Sequence, residues 1–409
     1  MRAIGYLEFA RANRRFLGFG FLLSCFSSVG QTYFVGIFGP SIMAEFGLGH
    51  GAWGGIYMAG TLLSAAALPF TGRLVDRADL RRYTLGVIAL MIGACLAAAL
   101  VPAVALLVPA VFLLRHSGQG LASHLSQTSM ARYFDRSRGK AIALGGLGFA
   151  VGEAVFPLAG VAAIAWLGWR GTYLAAAGLC ALVLLPAALW LLKGHVQRHT
   201  AWVAAAAAAE ARPEAARSWS RREVLRDARF WVILPAVTAP SMIVTALFFH
   251  HLTLAEDKGW SAAWITGSYG FFAAAGIVAA IVAGPLIDRV GARRLLPGLL
   301  APLALGLALL ASFGAPLAAW PYLVAIGLTS GLNATLMPAL WAELYGTRHL
   351  GGIKALAAAI SVFASALGPP LLGLLLDLGV SGETSCWLFV GYCAVATACL
   401  LLGLRRRPG

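Results

Sequence analysis

Charge is what this sequence has least of. Its 409 residues include 16 Asp and Glu and 31 Lys and Arg, so 11% of the chain is charged and 60% is hydrophobic. A soluble globular domain carries about 25% charged residues, so an ordinary water-soluble fold is excluded and the chain is placed in a membrane. The six cysteines (Cys25, Cys95, Cys180, Cys386, Cys393, Cys399) sit inside apolar runs with no CxxC pair and no Cys/His ligand spacing. That argues against disulfides and structural zinc and for packing roles. No GxxxxGK[ST] loop, aspartyl-phosphate or metal signature is present, so no cofactor is expected and nucleotide is not the energy source. An enzyme would need a nucleophile or metal constellation, and a receptor an appended signalling domain; neither is recognisable. The net charge of +15 would suit nucleic acid only if the cations shared one face, whereas here they fall in short clusters between apolar runs.

What is there is length. A helix needs about 20 apolar residues to cross the hydrocarbon core, and twelve such stretches fall near 16–38, 52–72, 83–101, 104–131, 140–162, 170–192, 230–253, 262–287, 295–313, 318–341, 353–376 and 386–404. The first is long and lacks a small-residue cleavage site, so it is expected to remain as a span. Cytoplasmic loops are enriched in Lys and Arg. With the N-terminus inside, 28 of the 31 basic residues lie on the cytoplasmic side, two (Arg170, Lys258) lie outside, and Arg115 alone lies within the membrane. Both termini are therefore expected in the cytoplasm of a multi-pass inner-membrane protein. The one long hydrophilic segment divides the chain into an N-terminal bundle (1–192), a linker (193–229) and a C-terminal bundle (230–409). In the linker, Ser220 with Glu223 forms a capping box for a short surface helix.

"GRLVDRADLRR" at 72–82 and "GPLIDRVGARR" at 284–294 share Gly, Leu/Ile, Asp-Arg and Arg-Arg at identical spacing, as a duplication of the two halves requires. These loops resemble the major facilitator signature Gly-x-x-x-Asp-Arg/Lys-x-Gly-Arg/Lys-Arg/Lys. The second copy matches it with Gly284, Asp288, Arg289, Gly291, Arg293 and Arg294. The first matches it with Gly72, Asp76, Arg77, Arg81 and Arg82, but has Asp79 and Leu80 where the glycine region lies. The resemblance implies an all-α membrane fold of twelve helices, two six-helix bundles related by a pseudo-twofold axis, with substrate bound near the midplane. It also implies a monomeric secondary transporter whose loop carboxylates, Asp76 and Asp288, latch the cytoplasmic side. A carboxylate near a helix N-terminus is favoured by the helix dipole in any case. The Arg-Arg pairs read mainly as topology anchors.

"LLRHSGQGLASHLSQ" puts Arg115 near mid-bilayer, where a charge costs roughly 2.5 to 3.5 kcal/mol on insertion scales. On an ideal wheel Ser126, Gln119, Ser123, His116 and Gln127 fall on one side of it and Leu114, Leu121 and Leu125 on the other, with His124 opposite Arg115. This face borders either an interhelical polar network or a substrate cavity. Glu153 is the one acidic residue placed deep in the membrane, at a similar depth on the next helix. The two suggest an ion pair, either static or part of proton coupling. Gln31, Tyr33, Tyr57, Tyr269 and Asn333 join Arg115, His116 and Gln119 as candidate substrate contacts, each equally suited to an interhelical hydrogen bond. His250 and His251 read as solvated helix ends or sensors of external pH, and Lys354 as a snorkelling anchor.

"YFDRSRGKAIALGGLGFAVGEAVFP" followed by "GWRGTY" looks like the monocarboxylate and oxalate–formate branch, which carries small carboxylates, commonly with protons. The matches are Tyr133, Phe134, Arg138, Gly139, Gly148, Gly152, Pro157, Gly168, Trp169 and Arg170. An arginine suits such a substrate because its planar fork binds both oxygens. The span at 262–287 lacks the charged pair typical of that branch. Drug/proton antiporters are the rival reading, although Glu153 and Ala154 follow Gly152 where their Gly-Pro pattern would lie.

Overall fold

The computed structural model describes residues 6–72, 74–77, 79–134, 137–195, 197–198, 200, 221–346 and 350–405, with the backbone alone for Tyr6, Leu7, Asp76, Arg77, Arg221, Leu350, Gly351, Gly352, Leu404 and Arg405. Among them the chain is helical throughout, with no strand. That is the state hydrocarbon demands, because an α-helix satisfies its own backbone polar groups.

Nine described helices are long and apolar enough to cross a membrane, or ten if the bent pair Arg14–Gly30 and Thr32–Phe46 is one span. The remaining expected spans have physical explanations. Helix Arg138–Leu179 is broken at Gly168, where φ is 68° and ψ 171°, a conformation that costs glycine least. The break makes two spans of one continuous stretch. Arg170, just beyond it, donates to the carbonyls of Ala99 and Val101, both at 2.8 Å, and closes the end of helix Leu80–Ala99. Helix His50–Thr71, a further 22 residues, supplies the last span but is diluted by glycine and polar residues. Ser220 lies outside the described residues; a short helix, Arg221–Arg226, follows it.

Two compact units emerge from the packing, one comprising Met1–Phe38 with Ala59–Pro213 and the other Gly39–Met58 with Glu214–Gly409. Helix His50–Thr71 thus begins in one unit and ends in the other. Within the first unit, helices Arg14–Phe26 and Arg138–Leu179 approach so closely that a Cβ on Gly148 would lie 2.0 Å from the Phe21 carbonyl oxygen. In the second, a Cβ on Gly331 would lie 2.1 Å from the Gly276 carbonyl oxygen. Small residues at crossings are how helices associate where lipid removes the hydrophobic drive. The outward faces carry exposed apolar side chains such as Trp166, Leu182 and Ile281, which water would penalise and lipid does not.

Helix starts are fixed by carboxylates. Asp79 accepts from the Arg82 amide at 3.0 Å and caps Leu80–Ala99. Asp227 accepts from the Arg229 amide at 3.0 Å and caps Ala228–Phe249. The residue that departs from the loop signature in the first copy is thus an N-cap.

Candidate functional site

The first unit holds the one arginine expected at mid-membrane. The span-one helix stops at Phe26, passes through a 3-10 turn Ser27–Gly30, and resumes at Thr32–Val35 after Gln31 takes an extended conformation. Facing this break, residues Arg115–Ala122 form a π-helix between helices Leu107–Leu114 and Ser123–Tyr133. A π turn spans one residue more than an α turn, and such bulges concentrate at functional sites.

The two irregular segments meet at glycine. A Cβ on Gly118 would stand 2.6 Å from the Gly30 nitrogen, and one on Gly30 would stand 2.1 Å from the Leu114 carbonyl oxygen. The guanidinium of Arg115 lies across this crossing, 1% exposed. One terminal nitrogen donates to the Gly30 carbonyl at 2.8 Å and to Thr32 Oγ1 at 3.4 Å, and Nε donates to Thr61 Oγ1 at 3.2 Å. Arg115 therefore ties together the broken span, helix His50–Thr71 and its own π segment.

The other candidates of this unit divide among separate contacts. His116 joins helix His50–Thr71, with Nδ1 3.3 Å from Ser64 Oγ and Nε2 3.1 Å from Thr71 Oγ1, and stacks on Phe112. Gln31 reaches Ser123 Oγ at 3.4 Å. Tyr33 shares a 2.9 Å hydrogen bond with Ser28, and Gln119 is half-buried beside Arg115 in sequence. Ser126 donates to the Gly20 carbonyl and bonds Ser24, so the polar face continues as a network into the first span. Among the described residues Arg115 and Glu153 form no ion pair, which corrects the pairing suggested by their depth. Glu153 is half-buried and acts electrostatically on Tyr33.

The second unit holds Tyr57, Tyr269 and Asn333. Tyr57 is fully buried against Phe249, ring centroids 4.5 Å apart. Tyr269 lies 2.8 Å from His251 Nδ1, and Tyr322 bonds the other ring nitrogen. Oδ1 of Asn333 is buried with no hydrogen-bond partner. His250 and His251 are 2% exposed, and His250 Nε2 lies 2.9 Å from the Pro369 carbonyl. They are interior residues rather than solvated ends, because neighbouring helices supply both rings with partners.

The repeated loops are held differently. Gly291 ends helix Tyr269–Val290 at φ 89°, giving the signature glycine a conformational reason. Asp288, Arg289, Arg293 and Arg294 are exposed, and Gly284 is half-buried. A residue that sequence reasoning missed, Glu343, accepts from the amides of Ala292 at 2.6 Å and Arg293 at 3.0 Å. In the first copy Gly72 is buried, Arg81 and Arg82 are exposed, and the side chains of Asp76 and Arg77 lie outside the described residues. Arg132 ties this loop down by donating to the Val75 carbonyl at 3.1 Å.

Residues 20–369 and 262–409 match the sequence profile of the Major Facilitator Superfamily. The chain belongs to the major facilitator superfamily. None of the curated proteins compared matches it. Among solved structures, the nucleoside transporter NupG shares 12% identity with this superfamily member at a TM-score of 0.73, covering 97% of this chain and 99% of that one. A bacterial homologue of the human lysosomal transporter Spinster, inward-facing and unoccupied, shares 14% identity at a TM-score of 0.70, covering 96% and 97%. The same homologue in its inward-facing occupied form shares 15% at 0.68, covering 98% and 99%. At these identities the likeness is one of fold. It is a likeness to transporters of small molecules in a lipid bilayer.

Proposed function

We propose that this superfamily member is a monomeric, proton-coupled carrier of a small organic anion, a monocarboxylate by preference. It would work by alternating access in the inner membrane with both termini cytoplasmic. The observation that carries the reading is Arg115, a guanidinium buried in a π-helical segment against the unwound break of the first span. Discontinuous membrane helices build substrate sites because their free backbone groups are available for coordination, and a planar guanidinium matches a carboxylate edge to edge. Arg115 anchors the anion by exchanging its bonds to Gly30, Thr32 and Thr61 for the substrate's oxygens. His116, Gln119, Gln31 and Tyr33 supply the polar groups around it within the first unit, and Tyr57, Tyr269 and Asn333 are proposed as further substrate contacts on their own helices. Glu153 takes up the coupled proton, and the two loop copies, with Asp76 and Asp288, gate the cytoplasmic side.

Proteoliposomes with an inward proton gradient test this directly. Accumulation of a labelled monocarboxylate is expected in the native protein. In Arg115→Ala it is expected to fall to background, with Arg115→Lys intermediate because it keeps the charge and loses the fork. Uptake that survives Arg115→Ala in folded protein removes the anion anchor. A nucleoside or a hydrophobic cation accumulated in place of the acid replaces the substrate class.

A further inference from the structure

A cavity lies away from Arg115, within the first unit. It has a volume of about 1170 Å³ and opens between the start of helix Leu80–Ala99 and the end of helix Leu185–Leu191. Its polar end carries Arg81, Arg82 and Lys193, and its other wall is Leu85, Leu189 and Trp190. All three cations are exposed, and Arg15 stacks on Trp190 at 5.1 Å, bringing a fourth. The acid in the lining, Asp79, is occupied in capping the helix through the Arg82 amide. The apolar wall is not sealed: Trp190 is 51% and Leu85 36% exposed, on helices whose outer faces meet acyl chains. Cations at the loop level with an apolar slot beneath match one kind of molecule, an anionic headgroup carrying hydrocarbon tails. Basic pockets between transmembrane helices recognise such lipids.

We propose that this groove is a binding site for an anionic phospholipid, whose phosphate sits among Arg81, Arg82 and Lys193 while an acyl chain runs along Leu85, Leu189 and Trp190. The site is independent of the carried substrate. Free phosphate lacks an acyl chain for the apolar wall, and a zwitterionic headgroup offers the cations no net negative charge.

Native mass spectrometry of the purified full-length protein, titrated with phosphatidylglycerol, phosphatidylcholine or glycerol 3-phosphate, reads the proposal. A retained one-to-one adduct is expected with phosphatidylglycerol alone. The triple variant R81Q/R82Q/K193Q is expected to hold it about a hundredfold more weakly, at about a fivefold step per cation. R289Q/R293Q/R294Q, with the same change in net charge, is expected to retain it. Equal weakening in both triple variants, or equal retention of phosphatidylcholine, overturns the site. Equal binding of glycerol 3-phosphate also overturns it, in favour of a soluble phosphate ligand. Should R81Q/R82Q/K193Q not fold, K193Q and W190A examine the two walls singly, and undiminished adduct in both refutes the proposal.

Discussion

Asp377 accepts hydrogen bonds from the backbone amides of both His50 and Gly51, each at 2.8 Å. A carboxylate at the end of helix Leu350–Asp377 thus caps the first turn of helix His50–Thr71, where charge and dipole reinforce each other. The helices touch backbone to backbone beside it. A Cβ on Gly54 would lie 2.6 Å from the Pro370 nitrogen, and one on Gly373 would lie 2.4 Å from the His50 carbonyl oxygen.

Asp377→Asn is expected to cost about 0.5 to 2 kcal/mol, the usual worth of a cap, and to lower the melting temperature. Hydrogen exchange should quicken at residues 50–54. Asp288→Asn, which removes an exposed carboxylate, should leave those amides unchanged. Equal protection in both variants would count against the cap.

Gly118→Ala is expected to force apart the crossing that holds Arg115, because the new methyl would stand 2.6 Å from the Gly30 nitrogen. Overpacking of this kind costs about 1 to 3 kcal/mol, visible as a lower thermal midpoint. Gly86→Ala, at a position with no neighbour within 4 Å, should be neutral or stabilising, since alanine is the better helix former.

Glu153→Gln removes a titratable group while keeping its shape. Exchange of labelled substrate down its gradient should persist in proteoliposomes, and uphill accumulation driven by protons should be lost. Undiminished accumulation would exclude Glu153 as the coupling group.

Asp227 gives a pH dependence. Burial pushes its carboxyl upward, but the hydrogen bonds and charge of Arg229, with the hydroxyl of Tyr345, outweigh that and hold it below the usual value. A depressed carboxyl stabilises the folded state above the unfolded value near pH 3.9, and that contribution disappears as pH falls through the folded one. Asp227→Asn should therefore melt below the native protein at pH 7, with the gap closing as the pH is taken from about 5 to below 3. A pH-independent gap would mean that the charge is not what stabilises this corner.

Hydropathy made the spans legible, because burying backbone in lipid leaves few alternatives to a helix of about 20 apolar residues. It also isolated Arg115, since one cation within apolar sequence has no bland neighbour to hide behind. The partners of Arg115 were not legible: the Gly30 break and the π turn are local departures from the periodicity on which a wheel relies. Asp377, Glu343 and the two histidines escaped for another reason. Their roles depend on acceptors and donors distant in sequence, such as Glu343 with Ala292, and spacing within one helix carries no trace of these.

Asp79 and Glu343 leave the duplicated loops tethered in unlike ways. The first is pinned by a carboxylate of its own chain segment and, through Arg132 and the Val75 carbonyl, by the end of helix Ser123–Tyr133. The second is moored to the far end of helix Pro316–Tyr345, so any hinge at Gly291 must either drag that helix along or first let go of a charged oxygen. Each copy is thus held to a neighbouring helix by a different bond, the first through an arginine and a loop carbonyl, the second through a glutamate and two loop amides.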